Sequence, residues 1–323
     1  MADIVHPPRP TTGRLSEVWE KPVSEIVSIT APALKEEQIE RHSLYCNLLM
    51  SLVASYWNGN KRGREGKYPW REKQLRPDKY GYLGGDYLGH NIAAIAVDAE
   101  GEVIDFDFNH NEIMNSSVEH AEARLVRRVF GLTGLYNGWA LEDPSKKPPV
   151  PYSNVLNGVT IYTSLESCSQ CSGIMALGYV KEVVFLQRDP GQYSIGNILR
   201  HLTKNEKYPA PVPIPADIIG VDYFERLEKG YAEFSAGVAN KPFHEDPAGK
   251  VDKSPSITSF LCTDLAMGIF LDGQDRFLKT LKAKYPDYKP VNDKKVLSNT
   301  DLITHLHRFH SYAISDGRRG TSH

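Results

Sequence analysis

Apolar residues recur every three or four positions in several stretches of the chain, and this spacing predicts amphipathic helices. The clearest stretch covers residues 36–57, where Leu44, Leu48, Leu52 and Tyr56 repeat every four residues. Similar patterns predict further helices over residues 119–130, 169–178, 222–234, 257–284 and 299–313. The chain is therefore rich in helices, and the last two lie close to its C-terminal end.

Between these helices the apolar residues form short runs of the kind that make buried β-strands. The runs predict five strands, at residues 91–97, 102–108, 158–164, 182–187 and 218–221. The first two strands are close enough to form a β-hairpin, and the next two enclose a helix, as in a parallel crossover. The predicted fold class is α/β, with a mixed five-stranded sheet flanked by helices.

The composition excludes several classes of protein. The 323 residues include 38 Lys and Arg against 40 Asp and Glu, so the net charge of −2 excludes a chain-wide polycation but leaves a local basic patch open. Four cysteines do not make a disulfide scaffold. No apolar run approaches the roughly 18 residues that span a bilayer, and the N-terminus lacks a hydrophobic signal core. We expect a cytoplasmic protein without a membrane segment.

Two short segments carry the candidate chemistry, and each stands at the start of a predicted helix. They are His120-Ala121-Glu122 and Cys168-Ser169-Gln170-Cys171. Alone, a CxxC pair is a weak signal, because it can also be redox-active or accidental. Together the segments offer His120, Cys168 and Cys171, the three protein ligands of a catalytic zinc whose fourth position takes water. Glu122 need not bind the metal and is the candidate base that takes a proton from the water.

These segments resemble the H-x-E…P-C-x-x-C signature of the zinc-dependent cytidine/adenosine deaminase superfamily. Residues 163–175 are similar to the T-L-E-P-C-x-x-C-x-G-A-[IM] stretch of tRNA adenosine deaminases and guanine deaminases, and residues 183–190 to the run that follows it. The resemblance implies a cytidine deaminase-like three-layer α/β/α fold, Zn²⁺ as cofactor and hydrolysis of the C–N bond of an amidine. It also implies that Glu122 shuttles the proton and that Asn109, eleven residues before His120, contacts the base.

The sequence departs from the family pattern in three respects. Ser167 stands where the family has a proline before the first cysteine. Serine is a good helix N-cap, so we expect the ligand turn to keep its geometry. His120 and Cys168 are 48 residues apart, wider than in the compact tRNA enzymes, and a proline-rich insertion at 137–157 accounts for the excess. The C-terminal 85 or so residues resemble no part of the family pattern.

The resemblance and the helical pattern together suggest three parts of the chain. Residues 1–34 are expected to form an irregular N-terminal arm. Residues 35–238 are expected to form the deaminase-like catalytic domain, with insertions at 60–90 and 137–157. Residues 239–323 are expected to form a helical C-terminal extension that follows a linker at 239–256.

The insertion at 60–90 carries a cluster of positive charge. Residues 61–79 hold eight Lys and Arg against three Asp and Glu, with aromatic residues interleaved. Basic groups suit phosphates and flat rings suit unstacked bases, so Lys61, Arg62, Arg64 and Trp70 are candidate substrate-binding residues. A solvated loop whose aromatic residues pack on the domain is the other interpretation.

The favoured function is conversion of adenine or cytosine, within RNA, single-stranded nucleic acid or a nucleotide, to the keto base with release of ammonia. One alternative is deamination of a free base or nucleoside such as guanine, or of a specialised metabolite. A second alternative is a non-catalytic, zinc-containing subunit or binding module of a deaminase complex. The expected partner is a nucleobase-containing substrate. Relatives of this fold commonly assemble through helices, so a homodimer is also expected.

Three histidines and two remote cysteines have simpler interpretations. His305, His307 and His310 are expected to lie on an exposed polar helix and not to form a second metal site. Cys46 and Cys262 lie in apolar helical patterns and are expected to be buried free thiols.

Overall fold

A mixed five-stranded sheet lies at the centre of the structure. The computed structural model describes residues 9, 11–12, 14–28, 32–57, 89–111, 114–139, 156–192, 194–203, 209–238, 244–245, 251–252, 256–282 and 296–315. The strands are β1 (Ala93–Val97), β2 (Val103–Phe108), β3 (Thr160–Thr163), β4 (Glu182–Phe185) and β5 (Val212–Pro215). Their order across the sheet is β2-β1-β3-β4-β5. Strand β1 is antiparallel to β2 and β3, whereas β3, β4 and β5 are parallel, which confirms the predicted mixed sheet.

The fifth strand lies a few residues before its predicted position. Residues 212–215 form the strand, and the stretch expected to be a strand begins instead as a 3₁₀ helix, Ala216–Ile219. No strand was predicted over this segment because it contains Pro213 and Pro215. A sheet edge tolerates proline because one side of the strand needs no partner, and β5 is the outermost strand beside β4.

Helices cover both faces of the sheet. They are α3 (Glu36–Ser55), α4 (Ala121–Trp139), α5 (Ser169–Leu177), α6 (Ile195–Leu202) and α7 (Tyr223–Val238). Helix α4 runs beyond its predicted end into the start of the predicted insertion, and α6 was not predicted from the sequence.

The side chains of β2 show how the layers are arranged. Asp105 and Asp107 pair with arginines of α4. The alternate residues, Phe106 and Phe108, contact rings on the other side, namely Phe309 and Tyr56. Because successive side chains of a strand point to opposite faces, α4 lies on one face of β2 and the aromatic contacts lie on the other. The protein is therefore a three-layer α/β/α structure.

The C-terminal segment is helical, as predicted, and shares the core of the sheet domain. It contains α8 (Ile257–Phe260), α9 (Asp264–Lys279) with a 3₁₀ turn at Thr280–Lys282, and α10 (Asn299–Ile314). Helices α9 and α10 both pack against α3. Phe260, Phe270 and Leu302 belong to the same continuous apolar cluster as Leu48 of α3. The linker before these helices contains two short paired strands, β6 (His244–Glu245) and β7 (Val251–Asp252).

The N-terminal segment differs from the irregular arm that the sequence predicted. It contains two short helices, α1 (Arg14–Val18) and α2 (Val23–Ile26), and both contact α6. The Asn197 amide of α6 donates hydrogen bonds to the carbonyl groups of Ile26 and Ser28. Contacts with α6 therefore give this segment structure that its own weak periodicity does not predict.

The histidines of α10 hold the helix against its neighbours, so the prediction of an exposed polar face was wrong for them. His310 is buried and lies 2.8 Å from the Ser51 hydroxyl. His307 stacks on Phe277. Nε2 of His305 accepts a hydrogen bond from the Val103 amide at 2.9 Å. Cys46 and Cys262 are buried thiols that form no disulfide, as expected. Among the described helices, none has the length and apolar character needed to cross a membrane.

Candidate active site

Three residues that are distant in sequence bring possible metal ligands together. The ligand atoms of His120, Cys168 and Cys171 all lie within 4.8 Å of one another, and they form the one such group of three among the described residues. Sγ of Cys168 lies 3.3 Å from Nδ1 of His120. The two candidate segments of the sequence thus meet at one point in the fold.

The meeting point lies where two helices begin. The His120 carbonyl accepts the amide of Arg124, so His120 stands immediately before the first turn of α4. Cys168 is the N-cap of α5, and its carbonyl accepts the amide of Ser172. Helices α4 and α5 contact each other. Since helix N-termini favour negative charge, both helices stabilise cysteine in the thiolate form that binds metals.

The donor set fits a zinc ion. One imidazole and two thiols are the ligands that zinc commonly takes, with bonds of about 2.1 Å to nitrogen and 2.3 Å to sulfur. In a tetrahedron with these bond lengths the nitrogen–sulfur edge is about 3.6 Å, close to the observed 3.3 Å between Nδ1 of His120 and Sγ of Cys168. Three protein ligands leave one coordination position open, as in catalytic zinc sites.

The two cysteines differ in their acidity. The hydrogen bond from Cys171 lowers the pKa of Cys168 to about 4, against the effect of burial, and His120 lowers it further. The same hydrogen bond, with burial, raises the pKa of Cys171. The bond to Cys168 also raises the pKa of His120. These contacts therefore favour the thiolate form of Cys168, and they raise the pKa of the neighbouring His120 imidazole.

Glu122 is buried beside the ligand group. Its side chain is 4% exposed. Oε2 accepts a hydrogen bond from Sγ of Cys171 at 3.5 Å, and Oε1 accepts one from the Ser167 hydroxyl at 2.9 Å. Burial raises the pKa of Glu122, because a carboxylate loses hydration there. The carboxyl group is thus near the ligands and able to hold a proton.

Ser167 is not the N-cap residue that the sequence suggested. The N-cap of α5 is Cys168, whose side chain makes no capping hydrogen bond. The Ser167 hydroxyl instead donates a hydrogen bond to Glu122, a residue of α4. The sequence carries no signal for this contact, because it depends on how α4 docks on α5.

An ion-pair network that the sequence analysis missed fixes the start of α4. Arg124 donates hydrogen bonds to Glu119 through Nη1 at 2.8 Å and to the buried Asp107 of β2 through Nε at 3.1 Å. Arg127 also bonds Glu119. The His110 amide donates to the Glu119 carbonyl at 2.9 Å. The segment that leads into His120 is therefore tied both to β2 and to the first turns of α4.

Of the remaining predicted site residues, the structure describes Asn109. Asn109 follows β2 and is buried, and its Oδ1 accepts hydrogen bonds from the amides of His90 and Asn111. These bonds run to the chain's own backbone, so contact with a base stays a prediction for Asn109. Lys61, Arg62, Arg64 and Trp70 lie outside the described residues.

The sequence comparisons agree with this chemistry. Residues 78–187 match the family model described as the cytidine and deoxycytidylate deaminase zinc-binding region. This part of the chain is therefore similar to that zinc-binding region. It is also similar to the tRNA-specific adenosine deaminase of Bacillus subtilis (strain 168), with 29% identity over 117 residues. That match covers 36% of this chain and 60% of the relative, so the chain spans about three fifths of the curated relative's length.

A solved structure was also matched. It comes from a study of A-to-I editing by tRNA:A34 deaminases at the wobble position of transfer RNA. The match has 17% identity and a TM-score of 0.28, and it covers 51% of this chain and 93% of that chain.

Proposed function

We propose that the protein is a zinc-dependent hydrolytic deaminase that acts on an amino-substituted nucleobase. The observation that carries the proposal is the buried carboxylate of Glu122 beside the group formed by His120, Cys168 and Cys171. A purely structural zinc site normally has a fourth protein ligand and needs no adjacent acid–base group. The proximity of Glu122 therefore supports catalysis over the alternative of a non-catalytic, zinc-containing subunit.

Each residue of the group has a separate task in the proposed reaction. His120, Cys168 and Cys171 hold the zinc, which, when bound, makes a water molecule acidic near neutral pH. Glu122 accepts a proton from a water molecule and donates it to a ring nitrogen of the base. It then accepts the remaining proton of the hydroxyl group added to the ring carbon and passes it to the departing ammonia. Water adds its oxygen at the amine-bearing carbon, and the C–N bond breaks. Asn109 is proposed to hold the edge of the base.

The preferred substrate is adenine or cytosine in RNA, in single-stranded nucleic acid or in a nucleotide. The curated relative's name, tRNA-specific adenosine deaminase, supports a nucleic-acid substrate. The basic and aromatic composition of residues 61–79 supports it independently. A homodimer is part of the same proposal. Deamination of a free base, a nucleoside or a specialised metabolite is the second enzymatic possibility.

Mass spectrometry of a substrate panel tests the proposal. Zinc-loaded protein is incubated with free bases, nucleosides, nucleotides, tRNA and single-stranded oligonucleotides, with Glu122→Ala as the control. Exchange of an amine for a carbonyl oxygen adds about one dalton, whichever base reacts. A shift in polymer alone supports the preferred substrate, and a shift in a small molecule supports the second possibility. No Glu122-dependent shift in any substrate contradicts the proposal.

A further inference from the structure

We infer that Ser167 is a positioning residue that orients the Glu122 carboxylate toward the metal ligands. This inference rests on the proposed function, because it assigns a part in the same site to a residue that the family pattern does not explain. The observation behind it is the hydrogen bond of 2.9 Å from the Ser167 hydroxyl to Oε1 of Glu122. Both side chains are buried, at 5% and 4% exposure, so water does not readily replace either partner.

The two oxygens of Glu122 have different neighbours. Oε1 is bound by Ser167, whereas Oε2 faces Cys171, one of the candidate metal ligands. Ser167 therefore holds Oε1, and Oε2 remains directed toward the ligand group. That is the arrangement in which one carboxylate oxygen is fixed and the other is free to exchange a proton with water.

Metal binding makes the serine more important for Glu122. A cysteine bound to zinc is a thiolate without a proton, so Cys171 cannot donate to Oε2 once it is a ligand. The Ser167 hydroxyl does not bind the metal and keeps its proton. Of the two side-chain hydrogen bonds to this carboxylate given above, the one from Ser167 therefore persists in the zinc-loaded protein.

The backbone around Ser167 is held firmly enough to direct the hydroxyl. The Ser167 carbonyl accepts a hydrogen bond from the Ser172 hydroxyl at 3.2 Å. The preceding amide, that of Glu166, donates to the Gln187 carbonyl at 2.7 Å, and the Asp189 amide donates to the Glu166 carboxylate. A side chain on a segment fixed on both sides loses little further freedom when it binds Glu122.

The proline of similar deaminase sequences cannot make this contact. Proline stiffens the ligand turn by fixing φ but carries no side-chain donor. Serine at position 167 gives up that stiffness and provides a hydroxyl that reaches Glu122. The substitution thus exchanges rigidity of the backbone for direct support of the carboxylate.

Steady-state kinetics of Ser167→Ala and Ser167→Thr test the inference with the substrate found in the panel. For Ser167→Ala we expect kcat to fall about 10- to 100-fold with KM within about twofold and zinc still bound one to one. Ser167→Thr restores the hydroxyl and is expected to recover most of kcat. Ser51→Ala is the matched control, because it removes another buried serine hydroxyl, bonded to His310, and should lower stability but not kcat.

A readout that does not depend on turnover is the orientation of Glu122 in crystals of the zinc-loaded protein. We expect one carboxylate position in the wild type, bonded to Ser167, and a rotated or divided position in Ser167→Ala. The inference is overturned if Glu122 keeps its position in Ser167→Ala, if this variant has an unchanged kcat, or if it loses zinc together with kcat. It is also overturned if folded, zinc-loaded Ser167→Thr does not recover kcat.

The crystal structures also separate this inference from the proposed function. If the wild type deaminates no member of the panel, the proposed function fails. The position of the carboxylate then still decides whether Ser167 orients Glu122.

Discussion

Gly273 of α9 lies directly against Met50 of α3. A β-carbon at position 273 would come within 2.5 Å of the Met50 β-carbon, closer than nonbonded atoms can approach. The glycine therefore lets the two helices pack at a distance that any other residue would increase. This contact lies in the region where the C-terminal helices cover α3.

We expect Gly273→Ala to destabilise the protein by about 1–3 kcal/mol, because overpacking outweighs the better helix propensity of alanine. Gly268→Ala is the matched control on the same helix, since an added β-carbon there meets nothing within 4 Å. It should be neutral or stabilise by up to about 1 kcal/mol. Urea unfolding of the two variants measures both values. Equal stability of the two variants would contradict the close approach.

Glu122→Gln should abolish turnover and leave zinc bound. The amide keeps the shape of the side chain but cannot accept and return the proton, so we expect a loss of at least about 100-fold in kcat. Ammonia release measures the activity, and elemental analysis measures the zinc. Full activity in this variant would refute the proposed proton transfer, and loss of zinc would show that Glu122 contributes to binding the metal.

Cys168→Ala and Cys171→Ala should each lose zinc. With the metal at about 1,000 times its Kd, binding stabilises the folded wild type by about 4 kcal/mol, and we expect the variants to lose most of this gain. Thermal unfolding with and without added zinc measures the difference. Cys262→Ala is the matched control, because it removes a buried thiol outside the ligand group and should still bind zinc. Stoichiometric zinc in either ligand variant would exclude the proposed ligand set.

His310 should make the protein less stable in acid. Burial lowers the pKa of His310 to about 4 in the folded protein, whereas an unfolded histidine has a value of 6.5. Between these values the unfolded state binds more protons, so the free energy of unfolding falls as the pH decreases from 6.5 to 4. In His310→Gln the free energy of unfolding should fall by roughly 2–3 kcal/mol less than in the wild type over this pH range.

Urea unfolding of the wild type and of His310→Gln at several pH values measures that effect. The Ser51 hydroxyl and the stacked His307 and Phe277 surround the imidazole, and glutamine can still bond to Ser51. An identical pH dependence in the two proteins would contradict the assignment.

Substitution of Lys61, Arg62 and Arg64 by glutamine should weaken the binding of polymer substrates and leave the binding of a free nucleoside unaffected. Each phosphate contact contributes about one unit to the slope of log affinity against log salt, so we expect a slope reduced by up to about three. A triple variant of the exposed Lys229, Lys279 and Lys282 removes the same charge elsewhere. Equal effects of the first variant on polymer and nucleoside would exclude these residues from phosphate binding.

The sequence predicts the central elements because their signals are local. The four-residue apolar repeat from Leu44 to Tyr56 produces α3, and the two ligand segments occur at helix starts as expected. Helix α6 carries a comparable repeat in Ile195, Ile198, Leu199 and Leu202. It is only eight residues long, so the repeat covers little more than two turns and is a weak signal.

The contacts within the site could not be predicted in this way. Ser167 and Glu122 are 45 residues apart, and Arg124 reaches Asp107 across two elements. Neither pair leaves a spacing pattern in the chain, because both depend on the relative positions of packed helices and strands. The candidate metal ligands could be proposed from the sequence because zinc restricts residue type and spacing more strongly than hydrogen bonding does.

The hydrogen bond between Val103 and His305 has a consequence for the protein during its synthesis. Its two ends are 202 residues apart, and Phe309 covers Phe106 from the same helix. At 5–20 residues per second, a ribosome needs roughly 10–40 seconds to make the intervening chain. Throughout that interval Phe106 of β2 lacks its contact with Phe309 of α10, whereas Tyr56, which contacts Phe108 on the same face, has already been made. The contacts of Val103 and Phe106 with α10 form only after this last helix has been made and has docked.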